Sequence, residues 1–179
     1  MKSAPYFIVL SMLLFSFNLP NEEPASVQFN TNPSGKEHIK VLNASFEKEL
    51  INLVNQYRLD KGLNSLKIHP SLMRASRYHA ADMAIENYFE HATHNRINNS
   101  LQRGISTFKR IKKFYDGYAN TENCGAGYQT PHAVFQGWVK SPGHHANLLN
   151  KRSTHIGVGY YKTNHSKYGT YWVFASAAE

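Results

Sequence analysis

Three segments of the sequence place histidine or carboxylate beside small, aromatic or helix-starting residues. The first is Asn87-Tyr88-Phe89-Glu90-His91 and the second is Thr121-Glu122-Asn123-Cys124-Gly125-Ala126-Gly127. The third runs from Trp138 through Ser141-Pro142-Gly143-His144-His145 to Leu149. Imidazole and carboxylate are the side chains that ligate metals and exchange protons. Spacing along the chain does not bring these segments together; that is left to the fold. Ser141 and His144 have the make-up of a nucleophile and its base. Ser before Pro at a helix start is, however, a ready N-cap whose oxygen is taken by backbone N–H groups, and that reading is preferred. Adjacent residues on a helix point about 100° apart, so His144 and His145 do not both face one cleft. His94, three residues after His91, reads as a loop histidine in water. Cys124 is the single cysteine, which excludes an intramolecular disulfide. Its neighbours Asn123 and Gly125 offer nothing to activate a thiolate, so it reads as a small buried strand residue.

Apolar periodicity supplies the elements that must carry these segments. Phe46, Leu50, Leu53, Val54 and Tyr57 recur at helical spacing, with Glu47, Lys48 and Arg58 facing away. Ser45 suits the N-cap of this helix and Gly62 its stop. A second helix starts with Pro70 at its first position and runs to about Asn87. Its stripe of Leu72, Ala75, His79 and Met83 makes His79 a hydrogen-bonded core histidine. Tyr88 to Ala119 is irregular and polar, broken by Gly104 and Gly117, and long connections of this kind often carry function. Thr130-Pro131 opens a third helix, whose Trp138 is expected in the core, and Ser141-Pro142 opens a short fourth. Ile156 to Tyr161 and Tyr171 to Ala175 read as two strands joined by a turn at Asn164–Gly169. The fold class is α+β, with helices packed on a small antiparallel sheet.

A hydrophobic share of 41% and a charged share of 18% are those of an ordinary globular domain. The formal net charge of +8 favours anionic partners such as nucleic acid, anionic lipid or acidic wall polymers. Nucleic acid is excluded because Lys and Arg are scattered and no binding motif for it is present. The densest cluster, Lys109-Arg110-Ile111-Lys112-Lys113, reads as a solvated loop face, with an anion contact as the alternative. Lys2 followed by the apolar run from Tyr6 to Phe17 has the form of a secretory signal. The run is short for a membrane span, but no clean cleavage site follows, so an uncleaved anchor is the alternative. The expected organisation is a signal peptide or anchor over 1–19, a linker over 20–44 and one folded domain over 45–179.

In order, NYFEH, TENCGAGY, the SPGHHANLL run behind Trp138, IGVGYY and the closing YWVF resemble the CAP superfamily. This superfamily groups cysteine-rich secretory (SCP-like) proteins, insect antigen 5 and plant pathogenesis-related proteins, and its disulfide-free bacterial branch is the nearest likeness. The resemblance covers Ser45 to Ala177. It implies a three-layer α-β-α sandwich with a small antiparallel sheet between helices. It also implies a cleft holding a tetrad of two histidines and two acids, which in some members binds a divalent metal. Carried over residue by residue, the tetrad positions fall at His91, Glu122, Ser141 and His144. Ser141 in place of the second acid is a departure, and Thr121 in place of the usual glycine is a smaller one. His155 stands where bacterial relatives carry an acid, and reads as a surface residue at or near the cleft.

The implied chemistry is coherent without the fourth member. His91, Glu122 and His144 with one open position form a ligand set for a divalent metal such as zinc. Equally, Glu122 could orient one imidazole by accepting its ring N–H, with no metal present. The function implied is a secreted or periplasmic binding module whose cleft takes a metal ion or a small apolar or lipid-like ligand. An envelope or extracellular partner fits the same reading. One alternative is a metal-dependent hydrolase acting on peptides or envelope material, with Glu122 as base. Another is an adhesive or signalling domain in which the tetrad is scaffold. The missing second acid tilts against the enzyme.

Overall fold

The computed structural model describes Val27 and residues 29–178, so the expectations for the apolar leader lie outside the described residues. The elements are α1 (Ala44–Asp60), β1 (Lys67–Ile68), α2 (Pro70–Ile85), β2 (His94–Ile97), β3 (Ser100–Arg103) and α3 (Thr107–Phe114). There follow β4 (Tyr118–Ala126), α4 (Pro131–Lys140), α5 (Pro142–Leu148), β5 (His155–Lys162) and β6 (Thr170–Ala178). The main sheet has the order β1-β5-β6-β4 and lies between α2 and α3 on one face and α1, α4 and α5 on the other. This is the α-β-α arrangement. The sheet is mixed and not purely antiparallel, because β1 pairs parallel to β5 through Lys67–His155 and Ile68–Ile156. A two-residue strand is too short to leave a periodic signal.

The sheet's two faces follow from strand alternation. Trp172 and Phe174 of β6 pack with Leu50, Val54, Trp138 and Ile156 on one side. Ala175 and Ala177 pack with Leu72, Ala75, Ile111 and Phe114 on the other. Trp138 is 1% exposed, and its indole N–H donates to the Cys124 carbonyl at 3.0 Å. The glycines of β5 let α2 lie directly on the strand. A Cβ at Gly157 would stand 2.1 Å from the Leu72 carbonyl carbon, and one at Gly159 2.3 Å from the Ser76 and Arg77 backbone.

Several local expectations are corrected. The N-cap of α1 is Asn43, whose side chain accepts from the Phe46 N–H at 3.1 Å, while Ser45 lies inside the helix. Glu47 and Arg58 do not face water. Glu47 pairs with Arg77 at 2.6 Å, and Arg58 donates to the carbonyls of Asn64, Leu148 and Asn150. Charges can be buried because they are so fully partnered. The connection after α2 is not irregular throughout. It holds the β2–β3 hairpin, turned at Asn98 and Asn99 with φ of 49° and 62°, a left-handed pair suited to a tight hairpin. It also holds α3, which makes the basic cluster helical and not a loop.

Candidate ligand cleft

The cleft forms where the segment after α2 meets β4, α3 and α5. Asn87 leaves α2 at φ 57°, and buried His79 then pins the returning chain by donating from Nε2 to the Glu90 carbonyl at 3.0 Å. This delivers His91 to Glu122 of β4, with Nδ1 2.9 Å from Oε1. The carboxylate can only accept, so Nδ1 carries the proton, and Nε2 is left without a hydrogen-bond partner among the described residues. The His91 side chain is 52% exposed and that of Glu122 only 2%.

Arg110 closes the inner side of the site. It projects from α3, is wholly buried, and donates Nη1 to the His91 carbonyl at 2.6 Å and Nη2 to Glu122 Oε2. Each oxygen of the Glu122 carboxylate is therefore engaged. The Asn147 amide of α5 donates to the Glu122 carbonyl at 3.0 Å and to Asn123 Oδ1 at 2.9 Å. Asn123 in turn donates to the His144 carbonyl at 3.0 Å. This stitching holds α5, which carries His144, against β4.

The electrostatics follow from these contacts. Burial pushes the Glu122 carboxyl up, but the Arg110 guanidinium and the His91 bond outweigh it and hold it down at about 2. The Glu122 hydrogen bond raises His91 above the ordinary imidazole value. His144 is lowered, first by burial and then by the positive charge on His91. Burial lowers His79 to about 3 and pushes the Cys124 thiol well up.

His91 and Glu122 meet directly, while His144 is tied to the site through its carbonyl, which accepts from Asn123. Ser141 joins α4 to α5 at the N-cap position, but its hydroxyl makes no capping bond, against the expectation. The junction is closed by backbone instead, with the Ser141 N–H donating to Trp138 and the His145 N–H to Ser141. His145 turns away and meets the Tyr57 hydroxyl at 2.9 Å. His94 lies in β2 and pairs with Glu90 at 3.1 Å, so it is not a free loop histidine. His155 is buried and not at the surface, with Nδ1 2.9 Å from the Thr154 hydroxyl. Cys124 is buried in β4 as expected, its sulfur 3.6 Å from Glu122 Oε1 and 3.7 Å from His91 Nδ1. His79 is the hydrogen-bonded core histidine expected, and its bond to Glu90 makes it an anchor of the segment, whereas Arg110 was not foreseen. Arg110, Ile111 and Phe114 are all buried on α3, and that helical spacing was the available signal.

One donor set among the described residues could hold a metal. Ligand atoms of His79, Glu122 and Cys124 lie within 4.8 Å of one another, so by type and spacing this buried cluster could chelate a divalent ion. Against it stand the guanidinium already on Glu122 and a thiol held in its protonated form.

Comparison with known proteins agrees with this architecture. An outer surface protein from Borrelia burgdorferi superposes with a TM-score of 0.66 at 20% identity, covering 80% of this chain and 99% of that one. An extracellular protein containing an SCP domain from Bacillus anthracis gives 0.63 at 26% identity, covering 75% of this chain and 41% of that one. YkwD of Bacillus subtilis (strain 168) is 34% identical over 145 residues, which is 80% of this chain but only 52% of that protein. Among the described residues, no helix is long and apolar enough to cross a membrane. Residues 51–176 match the family model of the cysteine-rich secretory proteins, and the chain belongs to this CAP family.

Proposed function

We propose that the chain is an exported binding module that receives its ligand on the His91 and His144 imidazoles. The observation that carries this is the arrangement of His91: half-exposed, fixed through Nδ1 by a buried carboxylate, with Nε2 left without a hydrogen-bond partner among the described residues. A carboxylate behind a histidine is the usual means of orienting a metal-binding ring and raising its basicity. A divalent ion such as zinc is the ligand class that suits two such imidazoles, with Glu122 orienting one of them and not ligating. When bound, the ion would supply a Lewis-acidic anchor for a further ligand group. Export is supported by the leader-like run behind Lys2 and by relatives described as outer-surface or extracellular.

A hydrolase finds less support. Its base would be Glu122, yet both oxygens of that carboxylate are engaged, and a group held near 2 is a weak proton acceptor at neutral pH. The test is zinc titration of untagged protein by calorimetry and thermal melting. Zinc should stabilise the protein, and His91→Ala with His144→Ala should abolish the response while the chain stays folded. The response should weaken as pH falls through the imidazole range, beginning above 6.5 at His91, which its bond to Glu122 raises. A double variant that keeps the full zinc response would place the ion elsewhere.

A further inference from the structure

Where the turn after β5 meets the start of α1 there is a hollow of about 510 Å³, and it shares no residue with the cleft. Its apolar wall includes Leu42 and Phe46. Phe46 is held in place by two other rings, stacked on Trp172 at 5.8 Å and edge-on to Tyr160 at 5.4 Å. Trp172 is itself fixed by its indole N–H, which donates to the Tyr128 carbonyl at 2.8 Å. The polar wall carries Asn43, Gln129, Lys162 and Asn164. Asn43 spends only its oxygen, which accepts from the Phe46 N–H and the Ser45 hydroxyl, so its amide Nδ2 is unspent. Gln129 spends only its nitrogen, on the Gly127 carbonyl at 3.0 Å, and keeps Oε1 unspent. The side chains of Lys162 and Asn164 have no partner among the described residues, and no acid lines the hollow.

We propose that this hollow binds an acidic saccharide, with the C–H face of one sugar ring against Phe46, its hydroxyls on the amides of Asn43, Gln129 and Asn164, and its carboxylate on Lys162. A sugar ring is apolar on its faces and carries hydroxyls around its edge, each able to donate and to accept. The unspent groups match that edge: donors at Asn43 Nδ2 and the Asn164 amide, acceptors at Gln129 Oε1 and Asn164 Oδ1. An apolar ligand would cover these amides without pairing them, at a cost for each one. A metal ion would find neither acid nor imidazole in the lining. An inorganic anion would engage Lys162 and leave the Phe46 ring unused. The Lys162 ammonium, with no acid beside it, selects a carboxylate-bearing sugar over a neutral one, because a charge-assisted bond is the stronger kind. An apolar wall with a few placed polar groups is the usual composition of a small-molecule site, and the volume lies in the usual range of a few hundred to about 1,000 Å³. The ring packing that fixes Phe46 spares the ligand the cost of ordering it.

The test is NMR titration of the isotope-labelled chain with a tetrasaccharide of alternating glucuronate and N-acetylglucosamine, and with chitotetraose, which has the same length and no carboxylate. Saturable shifts at Asn43, Gln129, Lys162 and Asn164 are expected from both, with the acidic sugar binding about tenfold tighter. Lys162→Gln should bring the acidic sugar down to the level of chitotetraose and leave chitotetraose unchanged. Asn43→Ser keeps an oxygen to cap α1 but removes the Nδ2 donor, so it should weaken both sugars by about threefold or more at an unchanged melting temperature. Asn164→Ala, at an exposed position, should weaken both in the same way. The His91→Ala, His144→Ala variant should bind both sugars as the wild type does, which separates this site from the cleft. The proposal is overturned by the absence of saturable shifts with the acidic sugar, by chitotetraose binding as tightly, by acetate alone producing the same shifts, by hollow variants that bind unchanged, or by loss of binding in the histidine variant.

Discussion

Lys109 and Arg110 are neighbours in sequence and both cationic, yet they end in opposite settings. Arg110 is wholly buried, its guanidinium shared between a carboxylate and a carbonyl. Lys109 is exposed at a groove and has no acidic partner among the described residues. The cause is helical geometry. On α3, residues Arg110, Ile111 and Phe114 turn to the sheet, while Phe108, Lys109 and Lys112 turn out. A planar guanidinium suits the inner position because its donors match a carboxylate and a carbonyl at once. A flexible ammonium suits the outer one, which faces water. One short helix thus seals the cleft on one side and presents charge on the other.

The largest effect that would test this contrast is loss of the inner cation. Arg110→Met should cost about 3–5 kcal/mol, because it strips the buried Glu122 of its guanidinium and leaves His91 to hold the charge alone. Urea denaturation measures it. Adding Glu122→Gln should cost much less than the sum of the two single changes, since the orphaned charge is then removed as well. Additive losses would mean that the two groups do not act as a pair.

What the sequence made legible follows the same division. Helices α1, α2 and α4 and the closing strands carry apolar residues at regular spacing, and each was readable in outline. The order of motifs around His91, Glu122 and His144 marked the family and its cleft. Glu47 and Arg58 were misread as outward because composition treats charge as surface, whereas their partners Arg77, Leu148 and Asn150 come from distant segments. Arg110 was hidden for the same reason, inside a run of lysines that looks uniformly solvated. Ser141 carried an N-cap signal that the backbone satisfied without its hydroxyl. Local chemistry is visible in a sequence; a partner far along the chain is not.

A second, smaller effect concerns acid stability. The folded-state pKa of Glu122 is depressed to about 2 from an ordinary 4.5, so its contribution is present above about pH 4.5 and is lost as pH falls toward 2. Melting temperature should therefore drop through that window, and Glu122→Gln should remove this part of the slope. An unchanged slope would mean that the carboxylate is not held by Arg110. The companion measurement is the His91 ring titration by NMR. Its midpoint should lie above the ordinary 6.5 in the wild type and move down in Glu122→Gln, because the bond to Glu122 is the main cause of the rise. A midpoint indifferent to Glu122 would detach the imidazole from its carboxylate.

The smallest expected effect lies on the outer face, and its smallness is the informative part. Phe108→Ala removes a ring that is already 50% exposed, so little apolar burial is lost. Alanine is also the better helix former by a few tenths of a kcal/mol, which offsets part of that loss. The net change should stay within about 0.5 kcal/mol, as for most surface substitutions. Ile111→Ala, three residues further on the inner face and 1% exposed, should cost about 2–5 kcal/mol for a cavity in the same helix. Both are read from the same urea curves, so helix propensity is controlled by the pair. A large loss for Phe108→Ala would place its ring in the core of the fold. A small loss beside a large one for Ile111→Ala would show that the stability α3 contributes comes from its inner face alone.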